Sequence, residues 1–151
     1  MRRRKTLCRI LHTHKEKTME IREYSVYREP EILSLYASVG WTAYTGDPAA
    51  LKLGFANALL TLAAYENNTL AGIIRCVGDG ATVVLIQDIL VHPDFQRRGI
   101  GTALLTSAVS HFPRVRQIQL CTDNTEKTKA FYGSCGFREY GEIGCCGFMK
   151  V

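Results

Sequence analysis

From residue 19 onward, apolar and polar positions divide the chain into short strand-like and helix-like runs. Residues 19–27, MEIREYSVY, alternate and predict a first strand. Pro30 stands where a helix can begin, and EILSLYASVG runs on to Gly40 as its stop. WTAYTGD (41–47) reads as a polar-aromatic loop, and Pro48 opens a second helix, PAALKLGFANALL, with Asp47 as its N-cap. A meander follows: LTLAAYE (60–66) turns through Asn67-Asn68 into TLAGIIRCV (69–77), and Gly78-Asp79-Gly80 turns into ATVVLIQDILV (81–91). Ile100 to His111 carries an apolar helical face of Ile100, Ala103, Leu104 and Ala108, ended by Pro113. VRQIQLCTD (115–123) is a further strand, TEKTKAFYGSCG (125–136) a short helix stopped by Gly136, and FREYGEIGCCGFMKV closes the chain as one or two strands. The expected order is β-α-α-β-β-β-α-β-α-β-β. That is an α/β (α+β) chain with a mixed, largely antiparallel central sheet flanked by helices, without the strict alternation of a doubly wound sheet.

A length of 151 residues, 46% hydrophobic and 22% charged, suits one soluble domain with one core. No apolar stretch approaches the roughly 18 residues of a membrane span, and no signal-peptide segment follows the basic N-terminus, so a cytoplasmic protein is expected. The net charge of +5 is local. Residues 1–18 hold seven of the 19 basic residues and one of the 14 acidic ones, which leaves the remainder at −1. The expected organisation is a basic, disordered tail over 1–18 (or a start placed too early, since Met19 opens the first strand) and a near-neutral domain over 19–151, without a nucleic-acid footprint. The six cysteines form no C-x-x-C pair. Cys76, Cys121 and Cys145 or Cys146 lie in apolar strand-like runs and read as buried free thiols. His12, His14, His92 and His111 lack zinc-ligand spacing, so no metal is expected.

The stretch HPDFQRRGIGTALL (92–105) carries the chemistry. A strand that meets a glycine-bearing turn and enters a helix makes an anion site, because the first helical N–H groups lack intrahelical partners and the dipole is positive there. Gly99 and Gly101 let a phosphate approach the backbone, and Arg97 and Arg98 add charge at the rim. The stretch lacks the lysine and spacing of a Walker A loop and the third glycine of a dinucleotide fingerprint. Gln96-Arg97-Arg98-Gly99-Ile100-Gly101 does fit Q/R-x-x-G-x-G/A, directly after a strand ending V-H-P. It resembles the GNAT superfamily of acyl-CoA-dependent N-acetyltransferases. Ala130-Phe131-Tyr132-Gly133-Ser134-Cys135-Gly136-Phe137, one strand later, is similar to a second element of that family, although the alanine-to-phenylalanine spacing departs from it.

The resemblance, which spans roughly residues 19–151, implies an acetyl-CoA cosubstrate and transfer to a primary amine by direct attack in a ternary complex. It implies that Gln96, Arg97, Arg98, Gly99, Ile100, Gly101 and Thr102 hold the pyrophosphate, that Ile89, Leu90 and Val91 pair with pantetheine, and that Tyr132 serves the leaving thiolate. Asn124 lies near the position of a further cofactor contact, at altered spacing. The loop holding Trp41, Tyr44 and Asp47 is where such proteins build the acceptor site; an aromatic, acidic loop suits a cationic amine and equally suits a hydrophobic lid. A lysine-like amine is neutral in only about one molecule in 10³ at pH 7, a penalty of roughly 4–5 kcal/mol, so a base or water chain is needed. Asp88 is the nearest carboxylate on the central strand, and alternation sends it and Gln87 to opposite faces. His92, beside Pro93 at the strand exit, reads as a surface residue. The expected partner is a small-molecule or protein amine, with no membrane and no nucleic acid. A homodimer stays open, since the final strands can pair between chains. Two rivals remain: a GNAT-like module that binds acyl-CoA without turnover, and a nucleic-acid protein that uses residues 1–17 as an arm.

Overall fold

The computed structural model describes residues 19–151; the basic stretch 1–18, and with it the tail reading and Cys8, lies outside the described residues. Five strands form one sheet in the order β1-β2-β3-β4-β5: β1 (Met19–Glu23), β2 (Leu60–Glu66), β3 (Thr69–Gly78), β4 (Val83–Val91) and β5 (Gln117–Leu120). The first three pairings are antiparallel and β4–β5 is parallel, so the expected mixed, largely antiparallel sheet is the observed one. Helices α1 (Glu29–Ser38), α2 (Thr42–Thr45) and α3 (Pro48–Ala56) cover one face, and α4 (Ile100–Ser110) and α5 (Glu126–Ser134) the other. Asn67 and Asn68 both take positive φ, 51° and 64°, as a two-residue hairpin turn requires. Asp79 caps the next turn by accepting from the Thr82 hydroxyl and from the amides of Ala81, Thr82 and Val83, bonds that hold its carboxyl below the usual range.

Four segments differ from the sequence expectation. The 41–47 loop contains the single helical turn α2, because Trp41 and Tyr44 both pack around Tyr36, with ring centroids at 5.8 and 5.4 Å. The second helix ends at Ala56 rather than Leu60. The apolar run is captured by the sheet, where Leu59 N–H donates to the Cys76 carbonyl at 2.8 Å. The strand expected over 115–123 is only Gln117–Leu120, since its pairing with β4 stops where Leu120 meets Ile86. The closing strands expected in FREYGEIGCCGFMKV are absent among the described residues. A 3-10 turn, Tyr140–Ile143, closed by Gly144 at φ +75°, interrupts the run instead, and Phe148 stays 96% exposed. Those last two changes also correct the cysteine reading. Cys76 is buried, but Cys121, Cys145 and Cys146 are exposed.

Two bulges decide which side chains face which helices. Arg75 stands opposite Asp88 and Cys76 opposite Ile86, which leaves Gln87 as an extra residue in β4. Val84 and Ile86 therefore join the core under α4, whereas Leu90 joins the core under α1–α3. Ala71 is the extra residue of β3, since Ala64 faces Gly72 and Tyr65 faces Leu70. Beside it, a Cβ on Gly72 would lie 2.8 Å from the Leu90 carbonyl oxygen and 3.2 Å from both Leu104 and Val91. Gly72→Ala is thus expected to lower stability by about 1–3 kcal/mol. Urea unfolding checks this, and an unchanged midpoint would mean that β3 and β4 part freely there.

Candidate active site

The turn between β4 and α4 is built from both ends. After β4, the amide of Phe95 donates to the His92 carbonyl at 2.9 Å and that of Gln96 to Pro93 at 3.2 Å, forming a 3-10 turn. His92 Nδ1 accepts from the Asp94 amide at 3.2 Å, so its ring serves the turn. The backbone then goes left-handed at Arg97, φ 62°, and again at Gly99, φ 79°, where a Cβ would meet open space. Ile100, 2% exposed, anchors the first turn of α4 in the core. Ala103, bonded to the Gly99 carbonyl, is the first amide of this stretch with a backbone acceptor. Those of Arg97, Arg98, Gly99, Ile100, Gly101 and Thr102 have none among the described residues. Six amides at a helix N-terminus are a concentrated anion site. Both arginines are exposed, but Arg98 is held by Glu66 and the Asp94 carbonyl, whereas Arg97 makes no such bond among the described residues.

The neighbouring strand edge is open. β5 pairs only with Val83–Ile86, so among the described residues Gln87–Val91 has no partner strand on that side. Which backbone groups face the gap follows from the register. The His92 amide donates to Ala71 of β3, so Leu90 also turns its main chain to β3, and Ile89 and Val91 turn theirs outward. Of the three residues singled out in the sequence, Leu90 has its main chain committed, and the Val91 carbonyl accepts from Gln96 Nε2 at 3.0 Å. That bond ties strand end to turn. Helix α5, capped by Thr125 Oγ1 on the Thr128 amide at 3.2 Å, lays Phe131 and Tyr132 on the same core as Ile89 and Val91. Burial pushes the Tyr132 hydroxyl above its ordinary pKa, so it stays protonated and able to donate. Asn124 is exposed, one residue before the Thr125 cap.

On the other face, Asp88 is 1% exposed, and its Oδ2 accepts from Arg75 Nε at 2.6 Å and from the Tyr36 hydroxyl at 2.9 Å. Its Oδ1 is buried without a hydrogen-bond partner among the described residues. Gln87, the bulged residue, is exposed and makes a long 3.4 Å contact to the Tyr44 hydroxyl. Arg75 also donates Nη1 to the Gly54 carbonyl at 3.0 Å and lies over Phe55, 5.4 Å from its centroid. The guanidinium gets this close to α3 because Gly54 has no side chain: a Cβ there would stand 3.1 Å from Nη1. A cavity of about 140 Å³ opens in front of Arg75, walled by Tyr44, Asp47, Leu51 and Gly54. Trp41 backs it by stacking on Tyr44, with centroids at 5.7 Å. Asp47 Oδ1 caps α3 through the Ala50 amide at 3.0 Å. The sequence reading missed Arg75, Tyr36, Gly54 and Glu66. The signal for the first was present: Arg75 and Asp88 are the lone charges of two adjacent apolar strands, and buried charges seek each other.

A mixed sheet that opens beside β4 and leads into an amide-lined helix start is the arrangement that the comparisons with known proteins identify. Residues 52–139 match the model of the acetyltransferase (GNAT) domain, and the chain belongs to that family. It is similar to a GNAT family acetyltransferase of Streptococcus pneumoniae, 34% identical, covering 89% of this chain and 98% of that one with a TM-score of 0.81. It is also similar to an uncharacterized N-acetyltransferase of Pyropia yezoensis, 26% identical over 112 residues. That match takes in 71% of this chain and 63% of that protein, so the chain spans less than two thirds of that relative. The fold is shared with the PaiA N-acetyltransferase of Thermoplasma acidophilum, solved in complex with coenzyme A. There the identity is 18%, the coverage 80% of this chain and 90% of that one, and the TM-score 0.65. Among the described residues no helix is long and apolar enough to cross a membrane.

Proposed function

We propose that the protein is an N-acetyltransferase that moves the acetyl group of acetyl-CoA to a primary amine by direct attack in a ternary complex. The observation that carries this reading is the continuity of two backbone surfaces without backbone partners among the described residues: the outward groups of Ile89 and the Val91 amide, then the amides of 97–102 at the start of α4. The first surface suits the amide-bearing pantetheine arm, which would add to β4 as a strand does. The second suits the pyrophosphate, with Arg97 as the nearby cation. Gln96 fixes the angle between the two through Val91, and Asn124, one residue before the α5 cap, would add a further cofactor contact.

In this reading the outward amide of Ile89 or Val91 also stabilises the oxyanion that forms when the amine nitrogen bonds to the thioester carbon. As the carbon–sulfur bond breaks, Tyr132 supplies the proton taken up by the departing thiolate. The amine enters by the cavity beside Tyr44 and Asp47, with Trp41 as backing, and the Asp47 carboxylate favours a cation at its mouth. Asp88 lies behind Arg75. Its Oδ2 is committed, so any proton it takes from the amine passes to Oδ1 through water. The protein works in the cytoplasm, where exposed Cys121, Cys145 and Cys146 stay reduced.

Calorimetric titration with acetyl-CoA, and separately with NADH and ATP, tests the proposal. Selective binding of acetyl-CoA followed by CoA release with an amine is the expected result. No binding would overturn it, and binding without turnover across an amine library would leave only an acyl-CoA-binding module. Tyr132→Phe is expected to slow turnover about 10²-fold with cofactor affinity within about twofold. An unaltered rate would return Tyr132 to the core.

A further inference from the structure

We infer that Arg98 is a positioning residue of the turn rather than a ligand of the phosphate, and that Glu66, at the end of β2, is the residue that sets it. The inference rests on the coenzyme A cradle proposed above. Arg98 donates Nη1 to Glu66 Oε1 at 2.9 Å and Nη2 to the Asp94 carbonyl at 2.8 Å, and its guanidinium lies over Phe95, 5.5 Å from the ring centroid. The fork therefore spans three parts of the fold: the β2–β3 hairpin, the 3-10 turn and the entry to α4. The Glu66 side chain is only 9% exposed, against 42% for Arg98, so the acid is the fixed end of the bond. Arg97 has no hydrogen-bond or ion-pair partner among the described residues.

The clamp has a specific place in the backbone. Arg98 stands between Arg97 at φ 62° and Gly99 at φ 79°, two left-handed positions on either side of one residue. A non-glycine residue in that region is disfavoured by about 1–2 kcal/mol and persists only where its surroundings hold it. Clamping the side chain between those positions fixes the direction of the amides that would face the phosphate. Both arginines precede the helix, but they divide the work: Arg97 supplies charge and Arg98 supplies geometry. This differs from the sequence expectation, in which both add charge at the rim.

The two roles give opposite signs for one near-isosteric change, Glu66→Gln. If Arg98 were a phosphate ligand, loss of the acid would release its guanidinium and remove a negative charge, and coenzyme A would bind more tightly. If Arg98 is a clamp, the amide holds it less firmly and binding weakens. The experiment is calorimetric titration of the full chain with coenzyme A at low and high salt, on wild type, Glu66→Gln, Arg98→Lys and Arg97→Ala. Glu66→Gln is expected to weaken binding about 3–10-fold with the wild-type salt dependence. Arg98→Lys is expected to behave the same way, because an ammonium cannot hold both acceptors with a planar fork. Arg97→Ala should weaken binding and flatten its salt dependence. Tighter or unchanged binding by Glu66→Gln, or wild-type affinity in Arg98→Lys, would overturn the inference while leaving the cradle intact. Absence of binding by wild type overturns the cradle and the inference together, and is seen before any variant is made.

Discussion

Asp88→Asn is expected to lower the stability of the fold by about 3–5 kcal/mol, read as a large fall in the urea midpoint. Arg75 and Asp88 are 6% and 1% exposed, and they lie on neighbouring strands in the middle of the sheet. Removing one charge leaves the other uncompensated away from water, and that desolvation penalty is what makes breaking a buried pair so damaging. The asparagine keeps the shape and one acceptor for the Tyr36 hydroxyl, so the loss measures charge rather than packing. The double variant Arg75→Met/Asp88→Leu is expected to recover much of the stability, because apolar residues of similar volume need no partner. A single variant as stable as wild type would show that water reaches the pair. Burial and the adjacent carboxylate also push the Tyr36 hydroxyl far above its ordinary pKa, so it remains a donor to Asp88 at physiological pH.

Gly101→Glu is expected to reduce acetyl-CoA affinity by at least about 10²-fold. Gly101 lies in the first turn of α4, and its amide is one of the six without a backbone acceptor. A carboxylate there would occupy the region of positive helix potential and compete with the pyrophosphate. Gly101→Ala is the matched control. An added Cβ would sit 3.5 Å from Phe131 and 3.9 Å from Val91, ordinary contact distances, so the alanine variant should fold and bind within a few fold of wild type. It should also gain up to about 1 kcal/mol from helix propensity. A folded glutamate variant with unchanged affinity would remove the turn from the phosphate site.

Several features were legible in the residues because they are local. Asn67-Asn68 makes its turn by its own φ preference, and Asp47 and Pro48 start α3 with chemistry confined to one turn of chain. The turn from His92 to Thr102 belongs to the same group, since strand, turn and helix are consecutive and its amides need no distant residue to be left without partners. The closing segment was misread for the same reason. FREYGEIGCCGFMKV has strand-like composition, but a strand forms only where an edge receives it, and Gly141, Gly144 and Gly147 leave the chain free to turn.

The sequence by itself determined the family, the elements up to α5 other than the single helical turn α2, and the strand–turn–helix course from β4 into α4, which depend mostly on neighbours within a few residues. Tertiary structure alone decided which face each site residue serves. The Gln87 bulge turns Asp88 and Leu90 to the α1–α3 face, although their even-numbered neighbours Val84 and Ile86 face α4. Alternation predicts one face for all four, and a bulge is a property of two paired strands rather than one. The partners of Asp88 and Arg98 were likewise decided in space: Tyr36 is 52 residues from Asp88 in sequence and Glu66 is 32 from Arg98. A buried charge must find a compensating group, but the chain does not say which one until the sheet brings its strands into register.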